Sequence, residues 1–264
     1  ALFRAGDEAG AIGVLERLTC LAANFLELGR SEWFEQVIDT LVSIYGVGFE
    51  NEAPIVNAPP RRSAVLWLAI IERVVALGSL AVRRSDWRAV RDLVARRHPD
   101  MHEMYTTWLR HAMTMASRAE LLTTREGSQE VLDSLLSRAR NVVRHLEWLR
   151  PDIEPEDEKI LTSLTQFDFL AGLVTMADSD NKSGTFPNFA RFYTQRTQPA
   201  AQRLLRETDM RKILYPGDDH QLAEALHTID REAQRAGFRY DGWEGYTRDV
   251  NAFIREQGVG TDEP

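Results

Sequence analysis

The chain has 264 residues, 44% hydrophobic and 27% charged, with a net charge of −8, the ordinary balance of a folded protein with a sizeable core. Even its most apolar run, residues 63–82, carries Glu72 and Arg73, so no charge-free window spans a bilayer and no membrane segment is expected. A single cysteine, Cys20, excludes an internal disulfide; with no secretory-type start in ALFRAGDEAG, the expected setting is reducing and cytoplasmic.

Basic residues are almost all arginine, the lysines being Lys159, Lys182 and Lys212, which reads as the codon usage of a GC-rich bacterial genome. The opening at Ala1 fits either initiator removal or a piece of a longer protein. Charge is uneven: residues 1–60 hold 3 basic and 9 acidic side chains, residues 61–150 hold 16 and 10, and residues 151–264 hold 13 and 21. A basic middle between acidic ends attracts phosphates or acidic protein surfaces.

In chain order, a first helix is expected from about Asp7, with Ile12, Leu15, Leu18, Ala22, Phe25 and Leu28 on its inner face and Gly29 as its stop. Ser31 caps a second helix, with Phe34, Val37, Ile38, Leu41 and Tyr45 inside, closed by Gly46 and Gly48. The segment from Gly46 to Arg62 has prolines and no period, and reads as a linker. A third helix, Ser63 to Arg83, is apolar on most of its circumference, as a helix covered on several sides must be. A fourth begins at Ser85 and stops before Pro99.

Leu28-Gly-Arg-Ser-Glu-Trp33 returns 54 residues on as Val82-Arg-Arg-Ser-Asp-Trp87, each between a long apolar helix and a following helix. Such paired hairpins are how a helical stack looks in sequence, and the joints resemble those of tetratricopeptide-like repeats. Shared capping chemistry in an irregular helical domain explains the echo equally well.

Asp100 and Glu103 open a fifth helix, with Met104, Tyr105, Trp108, Ala112, Met115 and Ala119 on a core face. The sixth, Ser128 to Arg150, carries the stripe Val131, Leu132, Leu135, Leu136, Ala139, Val142, Val143 and Leu146. A seventh starts at Pro155 among acidic residues, with Ile160, Leu164, Phe167, Leu170, Leu173 and Val174 inside. The polar loop after it fails as a calcium site, because Lys182, Ser183 and Phe189 stand where a ligand, a glycine and a bidentate glutamate are required. Helices are then expected over 188–214 with a break at Pro199, over 218–235, and from Trp243 to Glu256. The expected fold is all-α: about ten helices in stacked antiparallel hairpins, helical-repeat-like or an irregular multi-helix bundle. It divides into 1–150 and a C-terminal region 151–264 packed on it, or runs as one continuous domain.

Three clusters bear on function. Arg140-Asn-Val-Val-Arg-His145 resembles the motif of the HEPN family of helical ribonucleases. That resemblance implies that Arg140 holds a scissile phosphate, Asn141 orients the site and His145 acts as acid or base, without metal. The alternative is a solvated arginine face with a peripheral histidine. Two side chains five residues apart lie about 140° apart around one helix, so a partner surface would have to complete that site. His220, Glu224 and His227 have the glutamate-to-histidine step of diiron bundles without its second copy, so neither a metal nor another cofactor is expected. Arg83, Arg84, Arg88, Arg91, Arg96 and Arg97 form the best interaction surface, suited to nucleic acid or to an acidic protein face, including this chain's own.

No phosphate-binding glycine loop, dinucleotide fingerprint, nucleophile elbow or paired-cysteine zinc site is present. The reading is therefore a non-catalytic helical module for protein interaction or oligomerisation, the regulatory or sensing part of a larger bacterial protein. Its competitors are a ribonuclease using Arg140 and His145 and an arginine-mediated nucleic-acid binder without catalysis.

Overall fold

The computed structural model describes residues 8–50, 61–96, 108–109, 138–146, 157–177, 197–235 and 244–259. They form α1 (Glu8–Glu27), α2 (Ser31–Glu50), α3 (Arg61–Arg83), α4 (Trp87–Ala95), α5 (138–146), α6 (Asp157–Ala177), α7 (Gln198–Arg206), α8 (Thr208–Leu214), α9 (Asp219–Arg235) and α10 (Glu244–Glu256). There is no strand among the described residues, and the fold is all-α, as the apolar periodicity requires.

The organising element is α3, which packs against α1, α2, α4 and α6. From Leu68 to Val82 every residue of it is buried except Glu72, which is part-exposed. Such all-round burial explains why its sequence is apolar on nearly every side. Along α6, Ile160, Leu164, Phe167, Leu170, Leu173 and Val174 are all buried.

Close approach of α3 and α6 depends on small residues. Gly78 lies where a Cβ would run into the Phe167 ring. One residue on, the Ser79 and Ser163 hydroxyls meet at 2.6 Å, and Ser163 also donates to the Ile160 carbonyl. Ser79 is therefore the donor of the pair, and neither buried hydroxyl is left unsatisfied.

Both joints fold back in the same way. After α1, Gly29 has φ +63°, and the Arg30 N–H reaches the Phe25 carbonyl at 2.8 Å. After α3, Ser85 has φ +57°, and the Asp86 N–H reaches the Ala81 carbonyl at 2.9 Å. These are Schellman-type ends, each followed at once by a new helix. Their equivalence runs Gly29 to Ser85 and Phe34 to Val90, two residues out of step with the sequence echo. The two tryptophans are consequently not counterparts: Trp33 is 53% exposed and Trp87 is buried.

Four expectations are corrected. Ser85 does not begin α4; it turns the chain in the left-handed region, and Asp86 caps the helix, its Oδ1 accepting from the Ala89 N–H at 3.0 Å. Gly46 and Gly48 do not close α2, which runs on to Glu50; a helical glycine costs about 1 kcal/mol, less than burial of Leu41, Val42 and Tyr45 returns. Pro199 does not break a helix but stands in the first turn of α7, where no N–H is needed; the interruption comes at Glu207. Leu28, placed on the inner face of α1, is 70% exposed, because α1 carries apolar residues on two adjacent faces and spacing alone does not say which is covered.

Of the helix expected from Asp100, Trp108 and Leu109 are described, both buried. The Trp108 indole donates to the Leu93 carbonyl at 2.9 Å and meets Tyr45 edge-on at 5.7 Å, closing the ends of α4 and α2. The loop 178–189 lies outside the described residues.

Candidate functional site

Part of the arginine face is engaged by this chain's own groups. Arg84 makes a two-point pair with Glu27 at the end of α1, Nε to Oε1 at 2.9 Å. Arg96 lies 3.5 Å from Glu35 and 3.3 Å from Asp39 on α2. Arg91 donates to the Leu214 carbonyl at the C-terminal end of α8 at 3.3 Å, where the helix dipole favours a cation. Burial pulls the Arg83 pKa down, with Glu27 opposing it and the like charge of Arg84 adding to it. Arg88 is exposed, and Arg97 lies outside the described residues. The sequence had left open whether these cations meet a partner or this chain's own acids; Arg84 and Arg96 take the second course.

Arg203 supplies a further clamp that the sequence did not single out. It lies 4.8 Å over the Trp87 ring, donates to Ser85 Oγ at 2.9 Å and pairs with Glu207 through Nε at 2.6 Å. The Arg203 hydrogen bond holds the Glu207 carboxyl below its ordinary range.

The second candidate region is a pocket of about 360 Å³ between α1, α3 and α5, lined by Glu16, Thr19 and Cys20, by Glu72 and Arg73, and by Arg138, Asn141, Val142, His145 and Leu146. Arg138, Asn141 and His145 reach it together because steps of three and four residues keep one face of a helix. Arg140 does not line it, and its Nε is buried without a hydrogen-bond partner. The structure thus brings Asn141 and His145 to a cleft, with Arg138 and Arg73 in place of Arg140.

Within the pocket Arg138 holds Glu72 at 2.9 Å. Arg73 is 6% exposed; its Nη1 donates to the Ala69 carbonyl at 2.9 Å, its Nη2 stands 3.7 Å from Glu16, and its Nε has no partner. Burial lowers the Arg73 pKa, with Glu72 and then Glu16 opposing it. Burial, and after it Glu16, raise the Cys20 thiol above its ordinary value. That disfavours the thiolate a nucleophile would need.

The third feature is a surface. Among the described residues the exposed large hydrophobics are Val14, Leu21, Leu28 and Trp33, all on the α1–α2 hairpin. Val14, Leu21 and Leu28 recur every seven residues, and Leu18 and Phe25, half-buried and packed in part against the core, fall between them, so that alternating steps of four and three make one seam along the outer side of α1. Trp33 extends it by stacking on Phe25, ring centres 6.0 Å apart. The core-facing stripe of α1 is a separate one, Leu15, Thr19, Ala22 and Leu26, rotated by about 100°.

No protein-family model, curated protein or solved structure matches the chain. No group of three metal-ligating side chains comes together among the described residues. His220 Nδ1 lies 2.9 Å from the Gln257 carbonyl, which can only accept, so that nitrogen carries a proton and ties α9 to the end of α10. Glu224 lies 3.7 Å from the other ring nitrogen of His220.

Among the described residues two helices, Ala9–Glu27 and Glu158–Ala177, are long and apolar enough to cross a membrane, once one or two charges are tolerated within a window. The second is mostly covered by the rest of the fold and the first mostly is not. For Glu158–Ala177, service as a core helix accounts for the composition.

Proposed function

We propose that the protein is a non-catalytic helical interaction module that self-associates through the outward seam of α1. The observation that carries this reading is the concentration of exposed large hydrophobics on one hairpin at heptad spacing. Apolar residues so grouped are the mark of a contact surface, whereas singly scattered ones need no explanation.

A second copy of the chain is the occupant the seam fits. Set antiparallel, Ala11 faces Leu28 of the other copy, Val14 faces Phe25, and Leu18 faces Leu21, so each layer pairs a small side chain with a large one or two of equal size. The same patch serves both copies, as a two-fold dimer demands. The flanking positions on the solvent side are Arg17, Asn24 and Ser31, which set no like charges opposite one another. A lipid surface fits less well, since Glu16, Glu27, Glu32, Glu35 and Asp39 outnumber Arg17 and Arg30 on this hairpin, while helices that lie on membranes carry basic polar faces.

Sedimentation velocity over a concentration series tests the reading. The expected result is a reversible monomer–dimer equilibrium that Leu21→Glu shifts to monomer without loss of helicity, Leu21 being 43% exposed. A wild type that stays monomeric throughout, or a dimer indifferent to Leu21→Glu, would overturn it.

A further inference from the structure

The pocket between α1, α3 and α5 lies on a different face of α1 from the seam, and it presents a buried cation with unused hydrogen-bonding capacity. Arg73 spends Nη1 on the Ala69 carbonyl. That leaves Nη2 as the nitrogen an incoming carboxylate can meet in a charge-assisted hydrogen bond. Nη2 stands 3.7 Å from Glu16, beyond hydrogen-bond length, while Nε has no partner and is closed to solvent.

The other charges decide what kind of ligand suits the Nη2 nitrogen. Glu72 is already paired with Arg138 at 2.9 Å. Glu16, with 55% of its side chain exposed, is the group an incoming anion would deprive of its cation. A phosphate or a simple carboxylate on Arg73 would sit beside that unpaired acid, whereas a ligand carrying an ammonium next to its carboxylate would satisfy both. Val142 and Leu146 supply an apolar wall, and Thr19 adds no competing donor, since its hydroxyl is spent on the Leu15 carbonyl at 2.6 Å. A volume of about 360 Å³ is at the small end of ligand pockets.

We infer that this pocket binds a free amino acid with an apolar side chain, its carboxylate on Nη2 of Arg73, its ammonium on Glu16 and its side chain against Val142 and Leu146. The site is independent of the self-association proposed above, and Leu21→Glu leaves it intact.

Titration calorimetry on the full chain with leucine and phenylalanine tests it, beside 4-methylpentanoate, which lacks the ammonium, isopentylamine, which lacks the carboxylate, and inorganic phosphate. At least one of the two amino acids binds at millimolar concentration, and the three comparison compounds bind about tenfold more weakly or worse, as loss of a charge-assisted pair requires. Glu16→Gln, an exposed change that spares the fold, erases the preference for leucine over 4-methylpentanoate. Arg73→Gln removes the cation and weakens both. Failure of both amino acids to bind the wild type would overturn the inference, as would phosphate or 4-methylpentanoate binding as tightly, or a preference that survives Glu16→Gln.

Discussion

Asp168 is the residue whose environment is most at odds with its chemistry. It lies on α6, 2% exposed, with Oδ1 lacking a hydrogen-bond partner, and burial pushes its carboxyl well above the ordinary range. In the unfolded chain the group ionises at about pH 4, while in the fold it keeps its proton to higher pH. The folded state then binds more protons, so this group's contribution to stability declines as pH rises from the unfolded pKa toward the folded one. Asp168→Asn removes that penalty: its Tm is expected to exceed that of the wild type at mildly alkaline pH, with the gap closing as pH falls. A lower Tm for the variant at alkaline pH would show that the carboxylate is held by a partner.

Spacing read along the chain joined Arg140 to His145, whereas the three-dimensional face runs through Arg138, Asn141 and His145. Periodicity could have found that face, because 138, 141 and 145 obey the helical rule and 140 does not. Arg73 was legible only as a charge interrupting an apolar run; its orphaned Nε depends on which helices cover α3, which no local pattern states. With Arg140 away from the pocket, RNA incubated with the protein in chelator is expected to stay intact on a denaturing gel. Cleavage abolished by both Arg140→Ala and His145→Ala would restore the ribonuclease alternative.

Among the elements, the helices with one apolar face or with apolar residues all round were read well: α2, α3 and α6 bury the residues their spacing selects. On the first helix Leu15 and Ala22 are buried and Leu18 and Phe25 pack against the core as their spacing expects; Leu28 departs, because two apolar stripes lie side by side on α1 and a three-to-four spacing threads through both. Joint chemistry misled for a related reason. The repeated Ser-acid-Trp string is real in the sequence, but the left-handed residue falls on Gly29 at one joint and on Ser85 at the other, so the string sits in two structural registers.

The α3–α6 contact makes a quantitative prediction. Gly78→Ala puts a methyl group into the Phe167 ring, and overpacking of this kind costs about 1–3 kcal/mol, measurable as a lower denaturant midpoint. An unchanged midpoint would mean that the ring can yield and that the two helices are less tightly matched than their small residues imply. Arg203→Ala tests the second joint, removing the cover over Trp87 and the bond to Ser85. A loss of about 1–2 kcal/mol is expected, against none if the pair with Glu207 were its whole role.

For the whole molecule, the buried residues form one contiguous core from Leu15 to Ile254, and Arg84, Arg91, Arg96 and Arg138 of the basic middle tie helices together. In the function proposed above, the seam of α1 is where a second copy docks. Disulfide trapping of the seam addresses this claim most directly. In a Cys20→Ser background, Ala11→Cys protein mixed with Leu28→Cys protein is expected to oxidise to a mixed dimer faster than either does alone, because the antiparallel arrangement sets residue 11 of one copy against residue 28 of the other. Trapping of 11 to 11 or 28 to 28 in preference, or no trapping at concentrations where the protein should be dimeric, would contradict the account.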